Sequence, residues 1–89
     1  MAVTFSSSAD KHGIDRADAL LAIRTRLVHV QKFDDARDGG PRPDLFIGRA
    51  SDGTMLEVMA VVTPPRDLFI FHLMPLRRKT WDRVKGSRG

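Results

Sequence analysis

The spacing of apolar positions changes along the chain, and the change divides it into helical and extended stretches. Ala17, Leu20 and Leu21 recur with Arg24 on one helical face, with Ile23 beside it. That moderate stripe predicts a helix ending near Arg24 to Arg26. Asp15 suits its N-cap, and Asp18 falls at the third helical position, where an acidic group complements the helix dipole. Ahead of it, Asp10-Lys11-His12 predicts a short basic helical element that stops at Gly13. The polar, serine-rich stretch from Met1 to Ala9 is expected to be a flexible lead-in.

Beyond the helix the pattern becomes extended. Leu27 to Phe33 predicts a strand with β-branched Val28 and Val30. Asp34 to Asp44, which holds Gly39-Gly40-Pro41-Arg42-Pro43, has loop chemistry. Leu45-Phe46-Ile47 resumes a strand, and Ser51-Asp52-Gly53-Thr54 suits a hairpin turn, because Asp-Gly tolerates positive φ. Met55 to Thr63 reads as a long apolar strand in the middle of a sheet. Pro64-Pro65-Arg66-Asp67 predicts the next turn. Leu68 to Met74 then alternates, with Leu68, Ile70, His72 and Met74 on one face and Phe69, Phe71 and Leu73 on the other. Pro75 is expected to open a final helix that carries Arg77, Trp81 and Val84 on one side.

N-terminal helices, about four consecutive antiparallel strands and a C-terminal helix make an α+β domain. It is expected over residues 10–85, between the lead-in at 1–9 and a tail at 86–89. No internal repeat is visible. A chain of 89 residues fits one such domain and buries a small core. It has no cysteine, so neither a disulfide nor a thiolate zinc site supports that core. A partner chain is the expected source of further burial.

Charge adds a direction. The net charge is +4, with Asp10, Asp15, Asp18, Asp34, Asp35 and Asp38 in the first half and Arg77, Arg78, Lys79, Arg83, Lys85 and Arg88 near the end. Such a basic cluster attracts polyanions: RNA, DNA, a membrane surface or an acidic protein. No apolar run approaches the roughly 20 residues that cross a bilayer. Met1 to Ser8 lacks the features of a signal peptide. A cytoplasmic protein without membrane association is the expectation.

No P-loop, GxGxxG, HExxH or Gly-x-Ser-x-Gly motif occurs, so nucleotide hydrolysis, dinucleotide binding, zinc proteolysis and α/β-hydrolase chemistry lack support. His12, His29 and His72 show no metal spacing, and neither a metal nor another cofactor is expected. Metal-free RNA cleavage needs a proton-transfer group and cations that stabilise a phosphorane. His72 followed by Arg77-Arg78-Lys79 supplies both residue types at one edge of the sheet. Each also has an ordinary structural reading: a polar strand end for His72, a solvated helix face for the cations, a helix stop for Lys11-His12. Glu57 sits inside the most apolar strand. An unpaired buried carboxylate is costly, so it is expected to face solvent or to pair with an arginine, Arg49 being one candidate, and pairing is preferred to a catalytic role. His29 is expected to be an exposed strand residue.

Three stretches stand out together: Lys11-His12-Gly13-Ile14, then Ile47-Gly48-Arg49-Ala50-Ser51-Asp52-Gly53 with Leu56-Glu57-Val58, then His72-Leu73-Met74-Pro75-Leu76-Arg77-Arg78-Lys79. They resemble, in turn, the opening, the hairpin with its apolar strand, and the basic strand-to-helix segment of the BrnT family of ribonuclease toxins. They occur in the family's order across roughly Lys11 to Val84. The chain departs from the family at its first strand, which lacks tryptophan, at Met74, usually arginine, and at His72, often serine. The resemblance implies a RelE-like α+β fold and the toxin role of a type II toxin–antitoxin system. The activity implied is that of an endoribonuclease, a hydrolase that cleaves RNA to stop translation and growth. A cognate antitoxin would form a hetero-oligomer with the chain, and DNA would be reached only through it. Under this reading His72, Arg77, Arg78, Lys11 and His12 carry catalysis, and Arg49, Lys79 and Arg83 bind RNA phosphate. Two other classes stay open: a non-catalytic nucleic-acid-binding module and a protein-interaction module.

Overall fold

The chain's longest apolar run becomes the middle of a sheet. A computed structural model describes residues 2–34, 41–63 and 67–88. In chain order these form β1 (Val3–Phe5), a 3-10 turn (Ser7–Asp10), α1 (Arg16–Arg24), β2 (Val28–Val30), β3 (Asp44–Arg49), β4 (Met55–Thr63), β5 (Asp67–Pro75) and α2 (Arg78–Arg88). The result is an α+β fold built on a five-stranded mixed sheet, ordered β1-β5-β4-β3-β2. Among the described residues no helix is long and apolar enough to cross a membrane.

β2 to β5 form an antiparallel series in which strands consecutive in the chain are neighbours in the sheet. The turn at Ser51–Thr54 closes as its Asp-Gly pair suggests. Gly53 takes φ 90°, and Asp52 Oδ1 accepts the Thr54 N–H at 2.9 Å. Residues 35–40 and 64–66, where a glycine-rich loop and a diproline turn are expected, lie outside the described residues.

The expected flexible lead-in is corrected. Val3–Phe5 pairs in parallel with Leu68–Ile70, which makes the sheet mixed rather than four-stranded and antiparallel. The Ser6 N–H donates to the Ile70 carbonyl at 2.9 Å, and the Ser8 hydroxyl to the Phe71 carbonyl at 2.7 Å. Three residues are too few to display a strand period. Their partner lies at the far end of the chain, so nothing local announces the pairing.

Each sheet face carries one helix. On one face, Ala19, Ala22 and Ile23 of α1 pack with Phe46, Leu56, Val58, Ile70 and Leu73. Asp15 caps α1, its Oδ1 accepting the Ala17 N–H at 2.9 Å. The buried side is therefore narrower than the predicted stripe: Ala17 and Arg24 are exposed. Small residues face inward because α1 presses its backbone onto β3. A side chain at Gly48 would collide with the Ala22 backbone. On the other face, Val84 and Trp81 of α2 pack with Leu45, Ile47, Met59 and Phe71.

Two local features set the geometry of the second face. Pairing shifts from Met59↔His72 to Ala60↔Ile70, so Phe71 is an extra residue on β5. This bulge breaks the predicted alternation. Leu68, Ile70 and Leu73 all join the α1-side core, whereas Phe71 packs on the α2 side. Pro75 ends β5 instead of opening a helix, and α2 begins at Arg78. The Arg77 carbonyl accepts the Trp81 N–H at 3.1 Å, which makes Arg77 the residue that enters the helix.

Candidate active site

Glu57 lies on β4 with Ile47 opposite it on β3 and Met74 opposite it on β5. It is fully buried on the α2 side of the sheet. A carboxylate there requires hydrogen-bonding partners, and it has several. His72 Nε2 stands 2.7 Å from Oε2. The Arg77 backbone N–H donates to Oε1 at 2.8 Å, and Arg77 Nη2 donates to Oε2 at 2.7 Å. Arg77 Nε lies 3.2 Å from both oxygens. The buried Thr80 side chain further favours the charged form of Glu57.

The electrostatics follow from that count. Burial pushes the Glu57 carboxyl up, but the bonds from His72, Arg77 and Thr80 outweigh it and hold the group at about 2. The same carboxylate raises the Arg77 guanidinium above its ordinary value. An ionised Glu57 can only accept, so Nε2 of His72 carries the proton. In a neutral ring Nδ1 then offers its lone pair, and it has no partner among the described residues. The side chains of His72 and Arg77 are 22% and 33% exposed, so both reach solvent above a buried anchor. The cluster can move a proton at Nδ1 and present a fixed cation beside it. It also fastens the start of α2 to β4.

The expected pairing of Glu57 with Arg49 is corrected: Arg49 is exposed at the end of β3, while β5 and the residues entering α2 supply the partners. Their identity depends on the β4–β5 register and on the Phe71 bulge, neither of which is readable from one strand. Thr80 was not anticipated. The isolated charge at Glu57 was the available signal that a polar cluster sits here.

The other expected site residues disperse. Arg78 is highly exposed and pairs with Asp82 at 3.2 Å, and Lys79 is exposed beside it. Arg83 is committed elsewhere. Its Nη2 donates to the Phe33 carbonyl at 2.9 Å, its guanidinium lies 4.2 Å from the Phe33 ring centroid, and Asp34 is 3.6 Å away. Arg83 thus ties α2 to the segment after β2, and a phosphate would have to compete for it. Lys11 and His12 are exposed after the 3-10 turn, and neither shares a hydrogen bond or ion pair with the Glu57 cluster among the described residues. Nearby, Arg16 forms a two-point pair with Asp10 at 3.1 and 2.7 Å.

Among the described residues no three His, Asp or Glu side chains are grouped to hold a metal ion. His29, expected as an exposed strand residue, is exposed but engaged: its Nε2 lies 2.8 Å from Asp44 Oδ2. Comparison with protein-family models, curated proteins and solved structures found no match to this chain.

Proposed function

We propose that the chain is a metal-independent endoribonuclease, the RelE-like toxin of a type II toxin–antitoxin pair, as its likeness to the BrnT family implies. The observation that carries the reading is the Glu57–His72–Arg77 cluster: a buried, ionised carboxylate that orients an imidazole and an arginine toward solvent. In this mechanism Nδ1 of His72 takes the proton from the ribose 2′-OH. The 2′-oxygen attacks the adjacent phosphorus, the bond to the 5′-oxygen breaks, the leaving 5′-oxygen takes a proton from water, and a 2′,3′-cyclic phosphate results while His72 returns its proton to solvent. Arg77 stabilises the charge on the phosphorane. Arg78 and Lys79 hold flanking phosphates from α2, with Arg49 assisting from the end of β3. A cognate antitoxin covers this basic surface. The test is cleavage of single-stranded RNA in a chelator. Purified wild type should cleave and leave the cyclic phosphate or its hydrolysis product, and His72→Ala should lose turnover while keeping RNA affinity. Activity that vanishes in chelator and returns with magnesium would reject the mechanism.

One observation favours a second reading, a non-catalytic nucleic-acid-binding module. Arg78, Lys79 and Lys85 are exposed cations on a single helix, an arrangement that needs no reaction. RNA binding without cleavage, unaffected by His72→Ala, would select it.

A further inference from the structure

A second carboxylate–histidine pair lies on the opposite face of the sheet, at the β2 edge. Asp44 is nearly buried and uses both oxygens: Oδ2 meets His29 Nε2 at 2.8 Å, and Oδ1 accepts the Lys32 N–H at 3.0 Å. The second bond helps hold Lys32 at φ 50°, a left-handed conformation uncommon for residues other than glycine. The His29 ring lies flat on Phe46, with centroids 4.3 Å apart and planes 18° apart. Arg26 approaches the same Phe46 ring at 5.9 Å. Phe46 closes one face of the imidazole and Asp44 closes its Nε2 edge. The His29 side chain keeps 28% of its area exposed, and the ring face away from Phe46 is the one that neither contact covers. Arg26 and Lys32 are exposed, and neither has an ion-pair partner among the described residues.

The pair alone would fasten β2 to β3. The flat ring, with the exposed cations Arg26 and Lys32 on the flanking residues, goes further, although Arg26 Nη1 also donates to the Ile23 carbonyl at 3.1 Å. We propose that this is a binding subsite for one nucleotide of single-stranded RNA: the base stacks on the open face of His29, and Arg26 and Lys32 hold the phosphates beside it. Imidazole and arginine planes are common stacking partners for unpaired bases, and lysine and arginine contacts to phosphate supply sequence-independent affinity. The proposal rests on the reading of the chain as an RNA-binding protein. The subsite faces away from His72, so it serves affinity and not the chemical step.

The test uses the full chain and a short single-stranded RNA made uncleavable by 2′-O-methyl groups, with the imidazole signals of His12, His29 and His72 followed by NMR. Stacking should move the His29 ring protons upfield. His29→Ala should weaken binding about 5- to 150-fold, the range expected for loss of one base stack. His29→Phe, which keeps a ring but lacks the bond to Asp44, should retain most of the affinity and so separates stacking from a structural defect. Arg26→Ala should weaken binding and lower its salt dependence. Wild-type affinity in His29→Ala would overturn the proposal, as would an equal His29 shift with an abasic strand of the same length. An oligonucleotide that moves only His72 overturns this subsite and spares the proposed function. One that stacks on His29 while ordinary RNA remains uncleaved does the reverse. Failure of the oligonucleotide to bind at all rejects both.

Discussion

Among the described residues there are two carboxylate–histidine pairs, one on each face of the sheet. Each joins residues fifteen apart across adjacent antiparallel strands. The Glu57 side chain is 0% exposed, whereas that of Asp44 is 12% exposed. Glu57 gathers an arginine and a threonine besides its histidine; Asp44 gathers a backbone N–H beside its own. Depth and company separate them. The deep carboxylate remains charged only through its bonds, so its partners are held firmly. The shallower one keeps part of its side chain at the surface, and its histidine is held by the Phe46 ring as well as by the carboxylate. Under the proposed function the same pair of residue types serves chemistry in one place and contact in the other.

The sharpest way to break this contrast is to remove each imidazole in turn and measure RNA cleavage. His72→Ala should lower turnover by about 10²–10⁴-fold, the usual contribution of a positioned proton-transfer group. His29→Ala should leave turnover at saturating RNA unchanged and raise KM. A reversal of the two results would exchange the roles assigned to the faces.

Stability offers the next comparison. Glu57→Gln removes the charge that satisfies His72 and Arg77. It should cost roughly 2–4 kcal/mol in urea denaturation, somewhat below the usual figure for breaking a buried ion pair, because both partners reach solvent. Asp44→Asn should cost about 1 kcal/mol, a typical net value for a lost hydrogen bond. Equal costs would mean that depth does not distinguish the pairs.

Acid should sharpen the same point. The folded state holds Glu57 at about 2, below its ordinary 4.5. Its contribution is therefore fully present above about pH 4.5 and is lost as the pH falls toward about 2. That loss is on the order of 3 kcal/mol. It should be absent from the acid titration of Glu57→Gln, and an unchanged acid limb in that variant would contradict the assignment. The smallest effect expected is at Arg83. Arg83→Ala should cost about 1 kcal/mol by freeing α2 from Phe33, with RNA affinity changed less than by Lys79→Ala.

What was legible in the sequence was local. The Asp15 cap, the Asp52-Gly53 turn and the apolar run of β4 each announce themselves within a few residues. Glu57 also signalled a polar cluster, since a carboxylate amid apolar neighbours requires partners. The partners themselves were not legible. Arg49, near in sequence, was the natural candidate, and strand register chose Arg77 and His72 instead. The bulge at Phe71 reversed the face assigned to Leu73 for the same reason: a one-residue shift depends on the neighbouring strand. Asp44 read as the end of a loop, and its bond to His29 appears only once β2 and β3 are paired.

The parallel strand β1 ties the order of synthesis to the order of closure. Val3–Phe5 emerges from the ribosome early, yet its hydrogen-bonding partners, Leu68–Ile70, emerge after most of the described fold. Until then Val3 and Phe5 have no sheet to cover them, so this edge of the sheet is made first and paired late. Contacts that form after the rate-limiting step govern how fast a protein comes apart rather than how fast it assembles. A β1 that docks after that step is a latch on β5, the strand that carries His72, and weakening it would then shorten the lifetime of the folded site more than it slows its formation.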